Sequence, residues 1–98
     1  MASTKRRSTK VRSKSSKVGA TNVAIIGAGR GGTALMEIFA NDPLVQIVGI
    51  AEVNTQAPGV ILAKQLQIPV TRDYRKLLAM ERVDLVIDVS GDAEVWQF

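Results

Sequence analysis

The sequence contains no cysteine and no histidine. Without them the chain has no disulfide, no thiol nucleophile, no Cys/His metal site and no imidazole for acid–base catalysis. Aromatic residues are few: Phe39, Tyr74, Trp96 and Phe98. Only three prolines interrupt the chain, Pro43, Pro58 and Pro69. No apolar run approaches the roughly 20 residues that span a bilayer. Residues 1–18 hold no acidic group at all, yet carry seven basic ones: Lys5, Arg6, Arg7, Lys10, Arg12, Lys14 and Lys17.

The charge of +4 therefore describes no single surface. Residues 19–98 carry six basic and nine acidic groups, a net −3, so all the excess basicity sits in the tail. A mildly acidic body argues against a nucleic-acid platform. The tail itself is a Lys/Arg/Ser/Thr mixture with too little apolar surface to offset its ordering entropy, and reads as a disordered segment over residues 1–21. It lacks the apolar core of a secretory signal. Its Arg/Ser-rich composition matches organelle transit peptides, but without their amphipathic stripe. Contact with nucleic acid or an anionic membrane through charge alone is a third reading. Lack of cysteine fits a cytoplasmic setting.

From residue 22 the pattern changes to alternating strand and helix signals. Asn22–Ile26 is a short β-branched apolar run of the kind buried on both faces of a parallel sheet. Glycines follow, then a helical stripe of Leu35, Ile38 and Phe39 that ends at Asn41-Asp42-Pro43. A second strand spans Val45–Ala51. Pro58 opens a helix bearing Ile61, Leu62 and Leu66. Ile68–Val70 forms a brief third strand. Asp73 caps a helix over Tyr74–Met80 that buries Leu77 and Leu78, and Leu85–Val89 forms the fourth strand.

Four βα alternations predict right-handed crossovers and an open parallel Rossmann-type α/β sheet in the order 3-2-1-4. The domain occupies residues 22–98 and breaks off after the fourth strand, inside the start of another helix at Ala93–Phe98, whereas a full dinucleotide fold has six strands. A further domain or a homo-oligomer is expected to cover the exposed edge of the fourth strand.

Gly27-Ala28-Gly29-Arg30-Gly31-Gly32 fits G-x-G-x-x-G. Gly27 permits a tight strand exit, Gly29 lets a pyrophosphate approach the backbone, and Gly32 brings the helix close to the sheet. The helix start then offers unpaired N–H groups and a positive dipole end. Arg30 either pairs with a pyrophosphate oxygen or points into water. Gly31 stands where many such turns carry a larger apolar residue.

Glu52 follows Gly32 by 20 residues at the end of the second strand, positioned to accept hydrogen bonds from the adenosine ribose. A carboxylate there repels a 2′-phosphate, and Val53-Asn54 supplies no cation to receive one. NAD is favoured over NADP. The opposing reading is an α/β domain whose glycines serve packing, or hold another phosphate ligand such as coenzyme A. Ser90 and Gly91, after the fourth strand, are candidates for the nicotinamide side of the switch-point crevice; equally, Ser90 or Asp92 caps the next helix. Asp88, a carboxylate within an apolar strand, needs a donor, a ligand or an uncovered edge.

These segments resemble the N-terminal domain of the glucose–fructose oxidoreductase/inositol dehydrogenase family. The matching pieces are Val23–Gly32, Val48-Gly49-Ile50-Ala51-Glu52 and Thr71–Leu78. The resemblance implies NAD(P) binding through Gly27, Gly29, Gly32 and Glu52. Two departures stand out. Ser90-Gly91-Asp92 replaces the family's Thr-Pro pair, and the chain ends before the strand that precedes the family's catalytic lysine. The stretches Asn54–Gly59 and Val86–Asp92 look closer to a subset fused to bacterial signalling modules, and homoserine dehydrogenase-like domains are a more distant match.

The chain is therefore expected to bind the dinucleotide without being catalytic alone, as the cofactor-binding part of an oxidoreductase-like protein. The alternative is a nucleotide- or redox-sensing module of a signalling protein.

Overall fold

A computed structural model of the chain describes residues 2–4 and 19–91. Its elements in chain order are β1 (Ala2–Thr4), β2 (Thr21–Ile26), α1 (Arg30–Ala40), β3 (Val45–Ala51), α2 (Pro58–Gln65), β4 (Val70–Thr71), α3 (Tyr74–Leu78) and β5 (Leu85–Asp88). The sheet runs β1-β5-β2-β3-β4. Strands β4, β3, β2 and β5 pair in parallel, the expected 3-2-1-4 arrangement of an α/β Rossmann-like fold. Asp92 and the helical start read at Ala93–Phe98 lie outside the described residues, as does the tail from Lys5 to Val18.

The strand β1 departs from expectation. Ala2–Thr4 belong to the segment read as a disordered tail, yet they pair antiparallel with β5, placing Ala2 opposite Ile87 and Thr4 opposite Leu85. A short extended segment satisfies backbone groups that β5 would otherwise leave unpaired, a demand that composition does not reveal. Ala2–Thr4 thus lie along the outer edge of the fourth parallel strand.

Two apolar layers sandwich the sheet. Val23 and Ile25 of β2 face one way with Ile47 and Ile50 of β3, against Met36 of α1 and Val60 and Ala63 of α2. Ala24 and Ile26 face the other way with Val48 and Ala51, against Leu77 and Val83. The strict two-residue alternation of β2 is broken in β3, where Ile47 and Ile50 share a face although three apart. The cause is a register shift: Val23 pairs with Ile47 but Ala24 pairs with Gly49, so Val48 is an extra residue. Gly49 lies so close to α3 that a Cβ there would stand 2.6 Å from Leu77 Cδ2.

The buried stripes share Leu35, Phe39 and Leu62 with those read off the sequence, but their deepest positions are different residues. In α1 the inward residues are Gly32, Leu35, Met36 and Phe39, spaced i, i+3, i+4, i+7. Met36 is fully buried, whereas Ile38 is 63% exposed. In α2 the buried positions are Gly59, Val60 and Ala63, and Ile61 is 59% exposed. In both helices a glycine lies on the side nearest the sheet, Gly32 in α1 and Gly59 in α2, and the helix backbone approaches closely there. Asp73 caps α3 as expected, its Oδ1 accepting a hydrogen bond from the Arg75 amide at 3.0 Å. Leu77 is buried and Leu78 half-buried.

Candidate functional site: a dinucleotide cleft at the strand ends

The carboxyl ends of β2, β3 and β5 converge on one rim of the sheet. A shallow cleft opens there between Ile26 and Gly27, Ala51, Glu52 and Val53, Tyr74, and Ser90. It lies over the end of the first parallel strand, β2, with the exits of β3 and β5 on either side, at the carboxyl rim where open α/β sheets bind their ligands.

The turn after β2 is built by close approach. Gly27 has φ +107°, a conformation that side-chain-bearing residues rarely adopt, and a Cβ on it would stand 2.9 Å from the Ser90 amide nitrogen. The turn thus lies directly against the exit of β5. A Cβ on Gly32 would collide with the Gly27 carbonyl oxygen. That contact lets α1 begin immediately behind the strand. At Gly29, by contrast, an added Cβ meets nothing within 4 Å. Of the three motif glycines, only the middle one faces open space.

The start of α1 is also uncapped. Gly29 occupies the N-cap and no side chain hydrogen-bonds to the helix start. By helix geometry the amides of Arg30, Gly31 and Gly32 have no acceptor within the helix. Thr33 is held instead through its amide and its hydroxyl, both donating to the Gly29 carbonyl, at 2.9 and 2.7 Å. Arg30 is exposed at the first helical position. Gly31 packs on β5's exit, a Cβ there reaching 3.2 Å from Val89 Cβ, which explains the small residue at this place in the turn.

Ala28 has a different part from its neighbours. It is fully buried, its amide donates to Glu52 Oε1 at 2.7 Å and its carbonyl accepts from the Gly59 amide at 2.7 Å. A Cβ on Gly59 would stand 2.5 Å from that carbonyl oxygen, so α2 docks on the turn through a glycine. Ala28, grouped with the cofactor contacts on sequence grounds, has both backbone groups engaged by protein and holds the turn in shape.

Glu52 is half-buried and does more than the sequence suggests. Besides receiving Ala28's amide through Oε1, it receives Asn54's amide through Oε2 at 3.0 Å. One carboxylate ties the glycine turn to the chain leaving β3. Each carboxylate oxygen has two lone-pair sites, so both retain capacity for a ligand hydroxyl.

At β5's exit, Asp88 is 6% exposed and finds its donor two residues on. Its Oδ1 accepts from the Ser90 amide at 2.8 Å and the Ser90 hydroxyl at 2.6 Å. Ser90 borders the cleft, and Gly91 beyond it is exposed with φ +75°. Tyr74 also borders the cleft, a residue the sequence reading passed over as helical. The Arg75 guanidinium lies 5.6 Å from its ring centroid. The signal was available: α3 follows β4, so its first residue must lie at the carboxyl rim beside Glu52.

Among the described residues no three acidic, histidine or cysteine side chains gather as a metal site, and no helix is long and apolar enough to cross a membrane.

Comparison with known proteins agrees with this geometry. No curated protein sequence matches the chain. Among solved structures it is similar to GenD2 from gentamicin A biosynthesis, crystallised in complex with NAD, with 27% identity and a TM-score of 0.61. The match covers 76% of this chain but spans only 21% of that one. Residues 21–92 match the family model described as an oxidoreductase family with an NAD-binding Rossmann fold. On that match, which takes in every element from β2 to β5 and the whole cleft, the chain belongs to the glucose–fructose oxidoreductase/inositol dehydrogenase family of NAD-binding Rossmann domains.

Proposed function

We propose that the chain is the cofactor-binding part of an NAD-dependent oxidoreductase-like protein and is not catalytic by itself. The observation that carries this reading is the contrast within the turn. Gly27 and Gly32 are spent on close packing, while Gly29 borders open space beside an uncapped helix start. A diphosphate fits that place: it meets free N–H donors, the positive end of the α1 dipole and no side chain.

In this reading Gly29, Arg30, Gly31 and Gly32 supply the amides that hold the pyrophosphate, with the Arg30 guanidinium as an additional cation. Glu52 accepts from the adenosine ribose hydroxyls, and its charge disfavours a 2′-phosphate, so NAD is preferred to NADP. Val53 and Tyr74 flank the adenine side, and Ser90 and Gly91 the nicotinamide side. The bound cofactor supplies hydride transfer. What this chain's residues do is fix its position and exclude competing charge.

Among the described residues that line the cleft, the ionisable side chains are Glu52 and Tyr74. Neither is a lysine or histidine poised to move a substrate proton, which agrees with a part whose work is to hold the cofactor. The second reading is a nucleotide-sensing module, which needs binding but no proton transfer. A cytosolic setting fits the cysteine-free sequence.

Titration with NADH, followed by nicotinamide fluorescence, tests the binding. Saturable binding that Gly29→Val abolishes supports it; binding unchanged by that variant removes the pyrophosphate from this turn. Discrimination between NADH and NAD in the chain alone, with no substrate present, favours the sensor reading.

A further inference from the structure

The glycine turn divides the carboxyl rim into two sides. Glu52 follows β3 on one side, and Ser90 follows β5 on the other. The turn and Ser90 are in close approach, since a Cβ on Gly27 would stand 2.9 Å from the Ser90 amide nitrogen. With the pyrophosphate over the turn and the adenosine at Glu52, the nicotinamide end of the cofactor falls beside Ser90.

Directly behind Ser90 stands Asp88, the last residue of β5, paired with Ile26 of β2. Among the described residues it is the one ionisable side chain that is buried. Its Oδ1 accepts from the Ser90 amide at 2.8 Å and from the Ser90 hydroxyl at 2.6 Å. A neutral acceptor such as asparagine would serve those two donors as well, and a buried charge costs stability. The fold therefore gives no reason for a carboxylate at this place. A ligand does. An atom in contact with the Ser90 hydroxyl stands within about 6 Å of Asp88 Oδ1. The described residues that line the cleft include no cation to offset that charge.

The nicotinamide ring is a cation in NAD and neutral in NADH, while the rest of the two molecules is the same. Glu52, on the adenosine side, meets identical groups in both. We propose, resting on that placement of the cofactor, that Asp88 biases the site toward the oxidised form, so that the domain binds NAD more tightly than NADH. At about 6 Å, with an effective dielectric between about 20 and 80, the bias is on the order of tenfold. For a two-electron couple that lowers the midpoint potential of the bound cofactor by about 30 mV. Asp88 acts on the ring through space, and Ser90 is the group that touches it.

Dissociation constants for three ligands test this: NAD and ADP-ribose by calorimetry, and NADH by nicotinamide fluorescence. ADP-ribose keeps the adenosine and the pyrophosphate but lacks the ring. The parent chain should bind NAD more tightly than either ADP-ribose or NADH, an order that needs no variant to observe. Asp88→Asn should reduce the preference for NAD over NADH about tenfold and leave ADP-ribose binding within about twofold. Ser90→Ala should weaken both forms of the cofactor alike and keep their ratio, because the charge remains. A parent that binds NADH the more tightly overturns the proposal. So does a ratio unchanged in Asp88→Asn, or one lost equally in Ser90→Ala. Failure of the cofactor placement itself gives a separate result, a parent chain that does not bind ADP-ribose, and the proposal falls with it.

Discussion

Replacing Glu52 with alanine should destabilise the chain before any ligand is added. In the structure its carboxylate accepts two amides, Ala28's at 2.7 Å and Asn54's at 3.0 Å. The two losses are unequal. Ala28 is fully buried, so its N–H is left without a partner or water, at a cost of about 1–3 kcal/mol. Asn54 is exposed, and its amide turns to solvent at little cost. A total of roughly 2 kcal/mol follows, which for a domain this small lowers Tm by about 10 °C or more.

Thermal unfolding of the ligand-free protein by circular dichroism is the direct assay. Glu52→Gln divides the two roles. Its amide oxygen still receives the Ala28 N–H, so most of the stability returns, while the lost charge removes the repulsion of a 2′-phosphate. The glutamine variant should therefore melt near the parent and discriminate less between NAD and NADP. If Glu52→Ala melts within about 2 °C of the parent, the carboxylate does not hold the turn and the reasoning fails.

Gly32→Ala should be severe, because the new methyl meets the Gly27 carbonyl; a loss of about 3 kcal/mol or more, with NADH binding gone, is the expected outcome of denaturant titration and fluorescence. Gly29→Val is the counterpart, with a Tm within about 5 °C of the parent and no NADH binding, since the space it fills is outside the protein's own packing. Met36→Ala empties a fully buried site beneath Gly59 and should cost about 2–5 kcal/mol by urea unfolding. Gln67→Gly should stabilise by about 0.5–1 kcal/mol, because Gln67 has φ +61° just past α2, where the Ile68 amide reaches back to the Ala63 carbonyl at 2.8 Å. A lower Tm in that variant would mean that the glutamine side chain contributes more than its backbone strain costs.

The sheet order and the glycine turn were legible because they rest on local patterns. A β-branched run, a turn of glycines, a helix period and an acid at a strand end each declare themselves within about ten residues, and strand–helix alternation then leaves few topologies. The helix faces were less legible. Leu35, Ile38 and Phe39 have a valid i, i+3, i+4 spacing, but so do Leu35, Met36 and Phe39 with Gly32, and hydropathy prefers the first set. The second prevails because Gly32 must lie against the Gly27 carbonyl, which rotates α1 until Met36 points at the sheet and Ile38 at water.

A contact distant in sequence explains why the double role of Glu52 could not be read from its position in the chain. Spacing after the glycine turn marks it as a ribose acceptor, a relation to a ligand. Its bond to Ala28 spans 24 residues and exists only because β2 and β3 are adjacent, with Ile26 paired to Ala51 at their carboxyl ends. That pairing brings the buried Ala28 amide within reach of a half-buried carboxylate. The turn's shape and the site's charge preference thus depend on one side chain. A substitution chosen to change cofactor preference at Glu52 also acts on the loop that holds the phosphates, so preference and affinity are coupled through it, and glutamine is the replacement that uncouples them.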